Sequence, residues 1–294
     1  MLRVRIMTAA ILLPLVLAAF MFGPVWFIGL FLAFCTGLSV YEAAHMLIPA
    51  LERRLAPGES FHPDPESSSR GMPSVKALTT IAVVIGLGII ALATGGSIVA
   101  GGAVAATGIL LALLIGTFSA RSIDLAVARA IALTLSIAWG AMPWVVVWQV
   151  YSLGEHARYV FLVMTITWCG DTGGYFGGRY LGGKVFGDRK LAPLISPKKT
   201  WEGAIAGLLL SVVGAWVLNL LFLNNLGSFE IITATAVAGG ISAQLGDLVE
   251  SSLKRFAGVK DSGAIIPGHG GFLDRVDGIL FAAPVVWAIL HYFR

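Results

Sequence analysis

The residues best equipped for chemistry lie in one stretch, 251–277, SSLKRFAGVKDSGAIIPGHGGFLDRVD. Lys254, Arg255, Lys260, Asp261, His269, Asp274, Arg275 and Asp277 stand there, with Gly263, Pro267, Gly268, Gly270 and Gly271 between them. Cations, carboxylates and permissive backbone suit a site that holds phosphate groups together with a divalent metal. The plainer alternative is a positively charged loop between two membrane helices.

Spacing favours the first reading. Asp247, Glu250, Ser251 and Lys254 follow i, i+3, i+4, i+7, so a helix through them shows all four along one face. Gln244 extends that stripe by another turn, and Asp274 with Asp277 forms an i, i+3 pair on the next helix. Carboxylates about 4 Å apart repel by a few kcal/mol at an effective dielectric near 20. Mg²⁺ removes that repulsion, and it commonly takes one or two carboxylates plus substrate phosphate oxygens and water. A structural salt-bridge cluster with Lys254, Arg255 and Arg275 would also satisfy the acids, but it needs no glycine-rich loop.

Further candidates lie upstream. Asp171, in TWCGDTGGYFGGRYLGG, is an acid within an apolar segment. An ionised group at mid-bilayer costs about 2.5–3.5 kcal/mol, so it must face a cavity or a partner. Ser196-Pro197-Lys198-Lys199 precedes a helix start at Trp201-Glu202. Lysines beside a helix N-terminus hold phosphate, because free N–H groups and the dipole point the same way; a cap plus membrane-topology charge is the alternative. His269 could ligate metal, bind phosphate or cap a turn.

The elements that carry these residues are membrane helices. Of 294 residues 57% are hydrophobic and 12% charged, with mean hydropathy +0.87, which leaves too little polar surface for a water-soluble protein. A formal charge of +4 and a pI near 9.2 suit anionic headgroups or phosphorylated substrates. Nine apolar segments, at about 6–22, 24–46, 77–94, 97–118, 126–149, 158–177, 203–223, 229–250 and 277–292, predict an all-α integral membrane protein with about nine transmembrane helices. The first has a basic start like a signal peptide, but its apolar run is long and lacks a small-residue cleavage site, so it reads as a retained helix.

Residues 1–120 form an N-terminal membrane region with a polar, Pro- and Ser-rich loop at about 51–76, to which no chemistry is assigned. Residues 121–294 form a C-terminal catalytic region with polar loops at 178–202 and 251–276. Trp139, Trp144 and Trp148 read as an interfacial belt, with Pro143 kinking their helix. Cys35 and Cys169 read as core residues, neither metal ligands nor a disulfide. Every one of the 20 lysines and arginines except Arg158 and Arg294 falls on the N-terminal side of the nine-span reading. That predicts a cytoplasmic N-terminus and cytoplasmic polar loops, with the C-terminus on the opposite side of the inner (plasma) membrane.

Ser251, Lys254-Arg255, Lys260-Asp261, His269-Gly270-Gly271 and Asp274-Arg275-Val276-Asp277 together resemble the signature of the phosphatidate cytidylyltransferase (CDP-diacylglycerol synthase) family. Asp171-Thr172, followed by Ser196 through Gly203, resembles a second stretch of that family, although GGKVFGDR between them is longer than usual. The resemblance is specific over the C-terminal part and implies that CTP and phosphatidate give CDP-diacylglycerol and pyrophosphate in phospholipid biosynthesis. It also implies Mg²⁺, with a second cation as an open alternative, and a homodimer whose site opens to the cytoplasm and to lipid.

By that resemblance Asp247 and Asp274 are the metal ligands, and the need to neutralise phosphate charge adds Lys254, Arg255 and Asp277 to them as expected catalytic residues. Ser251, Lys260, His269, Arg275, Lys198, Lys199 and Asp171 then serve substrate binding, with Asp261 and Asp277 orienting the cations. Since a phosphate monoester with second pKa around 6 is already ionised at neutral pH, neutralising charge matters more than a strong general base. Two rivals stay open: a CTP-dependent lipid kinase of the polyprenol or phytol type, and a transporter with intramembrane acids.

Overall fold

The computed structural model describes residues 14–57, 72–96, 98–154, 157–187, 189–221, 227–266 and 270–293. It is almost entirely helical. Helix α1 is described over residues 14–22. There follow α2 (Val25–Leu55), α3 (Val75–Gly95), α4 (Ile98–Phe118), α5 (Ile123–Gly140), α6 (Met142–Ser152) and α7 (Arg158–Tyr180). After α7 come strands β1 (Lys190–Ala192) and β2 (Ser196–Thr200), then α8 (Trp201–Leu221), α9 (Phe229–Ala257) and α10 (Leu273–Phe293).

Among the described residues, 7 stretches are long and apolar enough to cross a membrane: α2, α3, α4, the run through α5 and α6, α8, α9 and α10. The sequence suggests nine. The first expected span, 6–22, lies partly outside the described residues. The helix of the sixth, α7, is 23 residues long, but Asp171, Arg179 and its glycines dilute its apolar character. The expected span at 126–149 is two helices that break at Ala141, with Pro143 in the first turn of α6, where a missing N–H costs nothing.

The all-α expectation needs one correction. The polar segment 178–202 holds an antiparallel hairpin in which Lys190 pairs with Thr200 and Ala192 with Ser196. The strands are too short for hydrophobic alternation to announce them.

The chain divides into two compact units, Met1–Val145 with Leu253–Asp274, and Val146–Ser252 with Arg275–Arg294. In the first, α2 packs on α3 and α5, and α5 on α4. Small residues permit the contacts: a Cβ on Gly140 would lie 2.8 Å from the Val40 backbone, and one on Gly86 would lie 3.0 Å from the Val40 side chain. A buried pair crosses the same packing, Arg129 Nε to Glu52 Oε1 at 2.7 Å, and Arg129 also donates to the Ser119 carbonyl. Glu52, Arg53 and Arg54 all belong to α2, so the polar connection begins later than expected, and 58–71 lies outside the described residues.

The tryptophans are not an interfacial belt. Trp139, Trp144 and Trp148 are all buried. The Trp144 indole N–H donates to Ser39 Oγ at 2.9 Å, and its ring stacks on Phe272. A hydroxyl within reach lets the indole go inside. Cys35 is buried and Cys169 half-buried, both as free thiols.

Candidate functional site

In the second unit the site is built on a helix crossing made of glycine. Gly170, Gly174 and Gly178 recur every fourth residue on α7, as do Gly173 and Gly177, and Gly203 and Gly207 do the same on α8. A Cβ on Gly173 would lie 2.7 Å from the Ala206 carbonyl oxygen, and one on Gly207 would lie 2.7 Å from that of Gly170. A Cβ on Gly177 would collide with Ala206 Cβ. Backbones approach this closely only where side chains are absent, and in lipid such packing holds helices together.

A cleft of about 390 Å³ opens beside that crossing. Asp171, Tyr175 and Arg179 line it from α7, Lys198 and Lys199 from β2, and Gln244 and Asp247 from α9. Lys199 Nζ lies 2.5 Å from Asp247 Oδ2, and Ser251 Oγ donates to Asp247 Oδ1 at 3.4 Å. The Gln244 amide donates to the Ala204 carbonyl at 3.0 Å, tying α9 to α8. Asp171 has Asp277, Asp247, Lys199 and Arg275 as its charged neighbours. The expected Asp171, Lys198, Lys199, Ser251, Arg275, Asp247 and Asp277 therefore all belong to one unit.

The hairpin that carries the two lysines is fastened at its base. Glu202 is buried, and its Oε1 accepts from the backbone N–H groups of Gly183 at 3.0 Å, Val185 at 3.3 Å and Phe186 at 3.0 Å. Thr200 Oγ1 accepts from Gly203 N at 3.1 Å, satisfying one of the otherwise orphaned donors of α8.

In the first unit the centre is Asp274, at the start of α10. Lys254 Nζ lies 2.5 Å from its Oδ1. Its Oδ2 accepts from Ser262 N at 2.9 Å, Gly271 N at 2.9 Å and Ser262 Oγ at 3.1 Å. Both side chains of the ion pair are largely shielded, so the salt-bridge alternative correctly anticipates the Lys254 pairing.

Glu42, buried on α2, completes this arrangement. Its Oε1 accepts from Phe272 N, while its Oε2 accepts from Leu273 N and Ser262 Oγ, each at 2.9 Å. One carboxylate thus caps the first turn of α10 and holds the loop before it. A Cβ on Gly271 would lie 2.7 Å from Glu42 Oε2, and Gly270 has φ +83°, a conformation that favours glycine.

Arg255 is exposed and donates to the Val259 carbonyl at 3.2 Å, and Lys260 and Asp261 are exposed. His269 lies outside the described residues. Glu42, Glu202, Tyr175 and Arg179 are absent from the sequence-derived set. A signal for Glu42 existed: it is an acid inside the second apolar segment, which must find a partner or a cavity.

Among the described residues no group of three or more His, Cys, Asp and Glu gathers as a metal cage. Asp247, whose Oδ1 accepts only a 3.4 Å bond from Ser251, fits a cation that takes one or two carboxylates and fills its remaining positions with phosphate oxygens and water, as Mg²⁺ usually does, whereas both oxygens of Asp274 are engaged by Lys254, Ser262 and Gly271.

A model of the cytidylyltransferase family matches residues 3–293. Phosphatidate cytidylyltransferase of Staphylococcus saprophyticus is 38% identical over 156 residues, covering 53% of this chain and 57% of the relative. The protein of the same description from Haemophilus influenzae is 43% identical over 136 residues, 44% of each chain. That of Staphylococcus haemolyticus is 40% identical over 156 residues, 53% of this chain and 57% of its own. The chain spans about half the length of the curated relatives it matches.

Proposed function

We propose that this chain, which belongs to the cytidylyltransferase family, transfers the cytidylyl group of CTP to phosphatidate, giving CDP-diacylglycerol and pyrophosphate. The observation that carries the reading is the cleft in which Lys199 meets Asp247 at 2.5 Å beside Asp171 and Lys198. Carboxylates and exchangeable lysines in one apolar-walled cleft suit the meeting of two phosphate-bearing substrates. The reaction needs positioning and charge neutralisation more than proton abstraction, because the attacking phosphate is already an anion.

Lys198 and Lys199 bind the triphosphate in this reading. An arriving phosphate takes Lys199 from Asp247, a partly exposed pair worth under about 1 kcal/mol, and leaves that carboxylate free. Lys254, Arg255, Lys260 and Arg275 supply further positive charge, with Asp261 and Asp277 orienting them and Ser251 and His269 at the substrate. Asp247 in the cleft and, by the family resemblance alone, Asp274 are the proposed ligands of Mg²⁺, which when bound would neutralise charge on the nucleotide phosphates and on departing pyrophosphate. The family resemblance further suggests a homodimer, and the distribution of Lys and Arg supports a plasma-membrane protein with N-terminus and polar loops cytoplasmic.

Purified protein with phosphatidate, Mg²⁺ and CTP labelled on the α-phosphorus should place the label in the chloroform-extractable lipid and release pyrophosphate. Release of CDP instead would mean transfer of the γ-phosphate, and label remaining wholly aqueous would reject both chemistries.

A further inference from the structure

The cations of the cleft are not equivalent. Lys199 is engaged by Asp247, whereas no carboxylate pairs with Arg179 among the described residues. Arg179 Nη1 instead donates no charge to an acid but a hydrogen bond to Tyr175 Oη, at 2.8 Å, and its guanidinium lies 5.8 Å from the centre of the Tyr180 ring. A phenol and an aromatic face orient a guanidinium without neutralising it. Its planar fork is left able to take two oxygens of one phosphate.

The surroundings of Arg179 differ from those of the lysines. Tyr175 and Tyr180 are each 59% exposed and Phe176 49%, with Phe176 packed between the two tyrosines. The next turns add Leu181, Val185 and Phe186, also exposed, and Lys184 among them. Exposed aromatic and aliphatic side chains interleaved with cations are what the headgroup level of a bilayer accommodates. Aromatic faces alone would also stack a nucleobase, but the exposed aliphatic Leu181 and Val185 beside them suit a lipid whose acyl chains lie below its phosphate.

We propose that Arg179, clamped by Tyr175 and Tyr180, is the seat for the phosphate monoester of the lipid substrate, and that it selects lipid phosphate over nucleotide phosphate. The inference rests on the reading of the cleft as a meeting place for CTP and an anionic lipid. A simple role in countering the negative end of α7 would need only positive charge, so Arg179→Lys should then behave as the wild type.

The test measures KM for phosphatidate in mixed micelles at saturating CTP, and KM for CTP at saturating phosphatidate. Arg179→Gln should raise the first at least ~10-fold, equivalent to about 1.4 kcal/mol, and leave the second unchanged. Arg179→Lys should recover little of the loss, and Tyr175→Phe should give a smaller rise of the same kind. A raised KM for CTP, a fall in kcat alone, full rescue by lysine or no change would each overturn the proposal. Native mass spectrometry of the purified protein, without CTP or metal, should find phosphatidate retained over phosphatidylcholine by the wild type and lost in Arg179→Gln. An inactive wild type that still shows this selective retention would reject the cytidylyl-transfer reading while sustaining the lipid seat. An active wild type with equal retention in both proteins would do the reverse.

Discussion

Replacing Glu42 tests whether a buried acid, distant in sequence, organises the Asp274 loop. Glu42→Ala strips the acceptor from Phe272 N and Leu273 N, the amides just before and at the start of α10, and from Ser262 Oγ. Ser262 Oγ keeps Asp274 Oδ2 as a partner at 3.1 Å, so two backbone donors are the net orphans. Each buried unsatisfied donor costs about 1–3 kcal/mol, giving about 2–6 kcal/mol before any cavity is counted. At about 2–4 °C per kcal/mol, as in sizeable domains, the unfolding midpoint in detergent should fall by about 4–24 °C.

The same amides lie beside the donors to Asp274, so turnover should fall in protein that remains folded at low temperature. Glu42→Gln keeps the volume but turns an amide N–H₂ toward existing donors, so it should recover less than half of the stability. Scanning fluorimetry and label transfer to lipid read both quantities. A midpoint within about 1 °C of the wild type, with normal turnover in Glu42→Ala, would refute the capping argument.

Other substitutions separate function from stability. Asp247→Asn removes a partly exposed pair with Lys199, so the midpoint should move by under about 1 kcal/mol while label transfer to lipid drops at least ~100-fold. Gly177→Val should abolish detergent-stable protein, because even a Cβ collides with Ala206, whereas Gly174→Ala should be tolerated, its nearest neighbour being 3.7 Å away; size-exclusion profiles distinguish them. Arg129→Ala strands Glu52 in a buried site and should cost about 3–5 kcal/mol, with Glu52→Leu in the same chain restoring much of it, as a double-mutant cycle would record. Chelation of divalent metal should stop label transfer, and added Mg²⁺ should restore it.

The sequence by itself determined where the apolar segments run, since hydropathy needs no partner to be read. It also determined which charges had to matter, because acids at Asp171 and Asp247 within apolar stretches demand a cavity. The α9 stripe through Gln244 and Asp247 follows from helical period alone, and both line the cleft. The glycines four residues apart on α7 and α8 stand in the sequence too, but that they pack on one another is a finding of the structure.

Tertiary structure decided who answers whom. Glu42 and Leu273 are separated by 231 positions, and nothing in a local window links an acid on α2 to the start of α10. Trp144 looks interfacial until Ser39, 105 positions earlier, supplies a hydroxyl for its indole. Arg179 looks like another topological cation until Tyr175 and Tyr180 are seen beside it and no carboxylate pairs with it among the described residues. Periodicity and composition are properties of neighbours along the chain, whereas desolvation and hydrogen bonding are settled by neighbours in space.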